Sequence, residues 1–557
     1  MIKKKGRRRM WNSVVVLLIA AAALFLAVGA EDPYLFFTWK VSYGTAAPLG
    51  VPQRVILVDG QFPGPNINST TNNNIVINVF NELDEPFLFS WNGIQQRKNS
   101  WQDGVAGTNC PIAPGKNFTY HFQVKDQIGS FYYFPSLGMQ KAVGGFGGLR
   151  VNSRLLIPVP FDPPADDFTF LINDWYAKDH KSLANALDGG RGIGVPVGVL
   201  INGKNRGDSP LFTMEAGKVY RYRVCNTGTK ASLNFRIQGH VLKLVEMEGS
   251  HTVQNDYASL DLHLGQCLSV LVEADQAPAD YYVVASSRFL KKELTATAIV
   301  RYAGSNGAPP APEALPKAPV GWAWSLNQWR SFRWNLTASA ARPNPQGSYH
   351  YGSIDIARTI RLSSSRAAAA TSKKRFALNG VSHVDSATPL KLAEYFSVDG
   401  VFKYNLIGDV PPPPASSPTT LAPNVIKIEH RSFVEIILEN PEKSMQAYHL
   451  DGYAFFLVGM GPGKWSEASR KHYNLMDAVS KHSVQVFPGS WSAIMASFDN
   501  VGMWNLRSEV WERRYLGQQL YISIGNLEES LRDEYNVPEN AIICGGAVGR
   551  LLPALYT

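Results

Sequence analysis

Val486–Gln519 reads VFPGSWSAIMASFDNVGMWNLRSEVWERRYLGQQ, and this stretch decides the fold. A Pro-Gly turn leads an alternating run, Trp491, Ala493, Met495 and Ser497, the period-two signature of a half-buried strand. Asp499-Asn500-Val501-Gly502 turns the chain into a second strand, Met503–Leu506, and Arg507, Ser508 and Glu509 follow it.

Working outward, the same order of elements occurs twice more. An apolar–Asp/Asn–Gly step stands at Val58-Asp59-Gly60, Ile201-Asn202-Gly203 and Leu378-Asn379-Gly380. Each is followed by an alternating strand ending in Asn, at Ile75–Asn81, Val219–Asn226 and Phe433–Asn440, and then by a Gly-centred segment. A turn follows at Pro114-Gly115, Leu264-Gly265 and Pro488-Gly489, and each copy closes on an aromatic strand. Three copies of short strands with turns rich in Gly, Pro and Asn predict an all-β chain of three consecutive β-sandwiches. Composition sets the boundaries: domains at 31–155, 156–307 and 320–557, with the extended Pro-rich linker APPAPEALPKAP at 308–319 before the third. Pro411–Pro414 reads as a surface loop inserted in the third copy. The clearest helix signal is Asn526–Tyr535, where Asn526 can cap and Leu527 and Leu531 share a face.

Residues 1–30 read as a signal peptide: a basic start (Lys3–Arg9), an apolar run Val14–Val28 and a small-residue exit. That run is short for a membrane span, and no span is expected in the mature protein. Losing the six basic residues of Lys3–Arg9 lowers the net charge from +9 to +3, which is not a nucleic-acid binder's balance. Four cysteines, Cys110, Cys225, Cys267 and Cys544, suit two disulfides in an oxidising compartment, and the residues alone allow three pairings. Three glycosylation triplets, at Asn68, Asn117 and Asn335, fit a secreted, extracellular protein.

Four separated segments then carry a resemblance to the multicopper oxidases, the family of laccases and plant ascorbate oxidases. It covers nearly all of Glu31–Tyr556 and implies cupredoxin-like Greek-key sandwiches. The family binds copper through two His-x-His pairs, a His-x-x-His-x-His run and a His-Cys-His…His…Met run, because copper prefers imidazole and thiolate. Here those positions read Ser90 and Asn92; Phe134 and Ser136; Gln446, His449 and Asp451; then Arg507, Ser508, Glu509, Arg513 and Gln518. Only His449 keeps a ligand side chain. Arg507 puts a permanent positive charge where a copper cluster would sit. The pattern resembles the copper-less plant subgroup related to SKU5, the pollen-specific ascorbate-oxidase homologues, and implies a secreted glycoprotein of the apoplast, cell wall or cell surface, linked to directional cell expansion or pollen-tube growth. The resemblance also implies the pairing Cys110–Cys544 and Cys225–Cys267.

No cofactor is expected on this reading, and no catalytic residues. The alternative is a copper-dependent ascorbate- or laccase-type oxidase keeping residual metal through His449. A hydrolase built on His449, Asp451 and one of Ser90, Ser136 or Ser508 is the weaker enzyme reading, since residues two apart on a strand point the same way without necessarily touching. The glycine-rich Gly144–Val151 lacks the Lys-Ser/Thr of a phosphate cradle and reads as a strand connection. Arg358, Arg361, Arg366, Lys373, Lys374 and Arg375 come with no acid between them, and read as a solvated loop or a contact for acidic wall polysaccharide such as pectin. A buried Arg507 needs partners, so it is expected to pair with Asp451, Glu509 or both, with Ser90, Asn92 or His449 completing its hydrogen bonds.

Overall fold

A computed structural model describes residues 32–308, 310–338, 350–368, 374–413 and 419–557. The targeting segment 1–30, Lys373 and Pro414 lie outside the described residues. The strands assemble into six principal sheets, two for each copy of the repeat. One device recurs three times. The opening strand of each copy runs parallel to its Asn-ending strand: Tyr34–Ala46 with Asn74–Asn81, Asp166–Trp175 with Val219–Asn226, and Arg358–Ala368 with Phe433–Asn440. Each Asn-ending strand then pairs antiparallel with Asn117–Gln123, Cys267–Glu273 or Ser490–Ser497.

The Asp/Asn–Gly steps are hairpin turns. Asp59 and Gly60 have φ of 52° and 72°, Asn202 and Gly203 47° and 82°, Asn379 and Gly380 47° and 81°. Two successive left-handed residues match the right-handed twist of the strands they join, and Asp, Asn and Gly reach that region most cheaply. That requirement is why the step is legible three times over.

Four expectations need correction. Ser490–Ser497 is a strand, but both its faces are buried. Ile494 and Ala496 enter the core of the third sandwich, while Trp491, Ala493 and Met495 pack on a second apolar layer with Trp334, Tyr351 and Trp465. Asn526–Tyr535 forms turns rather than a helix: Asn526 Oδ1 accepts from Ser530 N, Glu529 is left-handed, and Leu527 is left 76% exposed with no apolar face to cover it. The linker carries a short 3-10 turn at Pro312–Ala314, and Arg236 and Arg288 hold it through the carbonyls of Pro316 and Pro319. The basic run is no loop, since Arg358–Ala368 and Lys374–Leu378 are paired strands.

Cys225 and Cys267 face each other across adjacent strands and are joined, with Cα atoms 4.1 Å apart. Cys110 is joined to Cys544 across 434 residues, tying the first domain to the C-terminal tail.

Candidate functional site

The strand Gly502–Ser508 is the spine of the site. Its neighbour Gln446–Leu450 sets His449 opposite Arg507 and Tyr448 opposite Ser508. From the first domain, Phe89–Asn92 lies against Gly129–Pro135, with Ser90 opposite Phe134. All twelve positions picked out by the motifs are buried.

Seven of them fall into two groups. Gln446, Ser508, Arg513 and Gln518 belong to a hydrogen-bonded polar network. Gln518 Nε2 donates to Gln446 Oε1 at 2.8 Å, and Gln446 Nε2 donates to Asn440 Oδ1 at 2.7 Å. Arg513 Nη1 donates to Glu442 Oε1 at 2.7 Å and to Gln518 Oε1 at 3.3 Å, and Ser508 Oγ accepts from Val510 N at 3.2 Å.

The second group is ionic. Arg507 Nη1 donates to Asp451 Oδ2, and Arg507 Nε donates to Glu509 Oε1 at 3.1 Å. Lys141 Nζ lies 3.3 Å from Glu509 Oε2, and 4.7 Å above each of the Phe134 and Trp511 rings. Burial works against every charge here, and the partners decide the outcome. Arg507 holds Asp451 down to about 2 despite its burial, and Lys141 with Arg507 does the same for Glu509. Asp451 and Glu509 in turn raise the Arg507 pKa above its ordinary value. Lys141 is the exception, because burial outweighs Glu509 and lowers its ammonium pKa. The two cations therefore balance the two carboxylates. Asp103 lies beside them, where burial and then the Asp451 charge raise its pKa well above its ordinary value. A second pair lies alongside, with Lys481 Nζ 3.4 Å from Glu248 Oε1. Glu248 also accepts from the backbone of His482 and from the Ser483 hydroxyl.

Ser90 and Asn92 do not complete the hydrogen bonding of Arg507. Asn92 Nδ2 donates instead to the Gly265 carbonyl of the second domain at 2.9 Å, and Ser90 Oγ and Arg507 Nη2 have no hydrogen-bond partner among the described residues. His449 Nε2 lies 2.9 Å from Asp451 Oδ1, within ion-pair range, though without a hydrogen bond of good geometry among the described residues. His449 Nδ1 faces His482 Nδ1 at 3.2 Å, and burial lowers the His482 pKa to about 4, leaving that ring neutral. Ser136 Oγ donates to the Gly104 carbonyl at 2.6 Å, away from His449. No nucleophile–base pair forms among these residues.

The donor set does not fit copper. A guanidinium and an ammonium have no lone pair to give and repel a cation. Among the described residues, no three His, Cys, Asp or Glu side chains are arranged to hold a metal ion. All four cysteines are in disulfides, so no thiolate is available either.

Motif matching missed Asp103, Lys141, Glu248, Lys481 and His482, which sit outside the matched positions. A charge count was the available signal: Arg507 with Asp451 and Glu509 leaves one buried negative charge unbalanced, and such a cluster requires another cation. The surface residues fall differently again. Arg358, Arg361 and Arg366 pair with Asp409, Glu439 and Glu442 at 2.7, 3.1 and 2.6 Å, so they are not an open cationic patch. Lys374 is exposed and Arg375 half-buried. Asn68 and Asn117 are exposed, whereas Asn335 is half-buried.

Comparison with known proteins agrees with this geometry. Multicopper oxidase family models match residues 40–155, 166–305 and 387–530. The chain is 63% identical to an L-ascorbate oxidase homolog of Brassica napus over 94% of its length and 95% of the relative's. It is 49% identical to the monocopper oxidase-like protein SKU5 of Arabidopsis thaliana, over 93% and 90%. Its fold matches the crystal structure of Fet3p, a multicopper oxidase that functions in iron import, with a TM-score of 0.76 at 18% identity, covering 91% of this chain and 93% of that one. Three matched domains, their threefold strand order and a buried cluster at the motif positions place this chain in the multicopper oxidase family.

Proposed function

We propose that this protein works without copper, as a secreted, glycosylated wall or cell-surface binding protein supporting directional cell expansion or pollen-tube growth. The observation that carries the reading is the charge-balanced cluster of Lys141, Asp451, Arg507 and Glu509, which fills the position a copper cluster would need. The names of the relatives, ascorbate oxidase homolog and monocopper oxidase-like protein, support the scaffold and the plant setting. Among the described residues no helix is long and apolar enough to cross a membrane. Acidic wall polysaccharide is the proposed partner class.

The second reading, a copper-dependent ascorbate- or laccase-type oxidase, draws on those same names and on the close imidazoles of His449 and His482. Copper stoichiometry of the purified mature protein separates the two. The expected result is colourless protein with no stoichiometric copper and no copper-dependent oxidation of ascorbate or phenols. Stoichiometric copper with an intense visible band would overturn the proposal, because that band comes from a copper–thiolate bond.

A further inference from the structure

We propose that a groove on the outer sheet of the third domain binds an acidic saccharide of the polyuronate type; this deepens the binding-protein reading and rests on it. The groove, about 510 Å³, lies between the helix Trp322–Ser331 and the strand Phe455–Pro462. It belongs to the sheet opposite the one that carries Arg507. Its size falls in the range of small-ligand sites.

Two features give it a chemistry. The first is aromatic. Trp329, half-buried, forms a wall, and Trp491, only 4% exposed, lies under the floor. Gly459 and Gly461 make that floor, since a Cβ at either would meet the Trp491 ring at 3.3 or 2.6 Å. The bare strand thus lets the indole lie against it. The indole N–H of Trp491 makes no hydrogen bond among the described residues, whereas those of Trp465, Trp504 and Trp511 each donate to a protein oxygen.

The second feature is charge. Arg330, Arg333, Lys464 and His472 line the groove, and no acidic residue does. Arg333 shares Asp477 at 3.4 Å. Arg330 and Lys464 are exposed and form no ion pair among the described residues. In the same domain Arg358, Arg361, Arg366 and Arg470 each hold a carboxylate, whereas these two remain open to a ligand. Indole faces pack on the C–H faces of sugar rings, and unpaired guanidinium and ammonium groups meet ring carboxylates. A chain of uronate sugars presents both at once. The groove therefore takes over the polysaccharide contact that Arg358–Arg375 suggested in the sequence.

The test titrates the full-length mature protein with a defined oligogalacturonide, followed by calorimetry and tryptophan fluorescence. The same oligomer, fully methyl-esterified, serves as the uncharged control. The expected result is binding of the acid that weakens with salt, because exposed charges are screened, and no binding of the ester. Arg330→Gln with Lys464→Gln, both at exposed positions, should cost roughly tenfold or more in affinity, as expected for lost charge-assisted contacts. Trp329→Ala should weaken binding and reduce the fluorescence change. Equal affinity of the double variant, equal binding of the ester, or no binding of the acid would each overturn the assignment. Copper stoichiometry reads the proposed function separately, so the two failures are distinguishable.

Discussion

Arg507→Met removes the cation that holds Asp451 and Glu509, and its cost can be worked from the cluster. Glu509 keeps Lys141 at 3.3 Å, so the stranded group is Asp451, 3% exposed. An unpaired carboxylate so enclosed takes up a proton rather than stay charged. In the native cluster the pKa of Asp451 is held at about 2, below its ordinary 3.8, because Arg507 outweighs burial. A depressed native pKa contributes stability that is present above 3.8 and lost as pH falls toward 2. The variant reverses the sign. Its folded state keeps a proton that the unfolded chain releases, so it loses stability as pH rises above 3.8. Between pH ~4.5 and ~7 the deficit against wild type should grow by about 3 kcal/mol, at ~1.4 kcal/mol per pH unit. That matches the scale of breaking a buried pair, about 3–5 kcal/mol. Urea unfolding followed by tryptophan fluorescence at the two pH values measures it. Replacing Lys141, Asp451, Arg507 and Glu509 together by apolar residues should cost less than Arg507→Met alone, because no charge is stranded. Parallel pH profiles for Arg507→Met and wild type, or a quadruple variant less stable than the single one, would refute the reasoning.

Two further outcomes are expected. Cys110→Ser with Cys544→Ser should lower stability by roughly 2–5 kcal/mol and expose the C-terminal tail to limited proteolysis, read by mass spectrometry of the fragments. Arg358→Gln, Arg361→Gln and Arg366→Gln together should lower the melting temperature modestly, each partly exposed pair being worth below ~1 kcal/mol, while oligogalacturonide affinity stays unchanged; a large fall in affinity would return the contact to that strand.

The architecture was legible wherever backbone requirements leave few choices. Asp59-Gly60, Asn202-Gly203 and Asn379-Gly380 mark turns that need two left-handed residues, so the repeat shows through divergent side chains. Alternation was less informative. The pattern at Trp491–Ser497 implied one wet face, but a second apolar layer covers that face, and layering is a tertiary fact that a local pattern does not carry. The stripe of Leu527 and Leu531 failed for the converse reason: an apolar face makes a helix only when something packs on it. At the site, motif positions located Arg507, Asp451 and Glu509, because their register is inherited with the strands. Lys141 comes from a 3-10 turn and Asp103 from the bend that ends another, and their approach depends on how the domains dock.

That docking explains why the interior stays polar once copper chemistry is set aside. Lys141 comes from the first domain, Glu248 and the Gly265 carbonyl from the second, and Glu509 and Lys481 from the third. Their contacts cross every interface. Burying these ions is no efficient route to stability, since apolar side chains of the same volume would do as well. What charges add is direction. Asp451 and Glu509 accept Arg507 from opposite sides, and Lys141 reaches only the oxygen of Glu509 that Arg507 leaves open. An apolar core would tolerate a sliding interface, whereas these directional contacts are met in the docked register, even with Arg507 Nη2 and Ser90 Oγ left without a partner among the described residues. The disulfide Cys110–Cys544 holds the same first-to-third contact from outside. The groove lined by Trp329 lies on the outer sheet of the third domain, the domain that both the ionic contacts and the disulfide hold to the first.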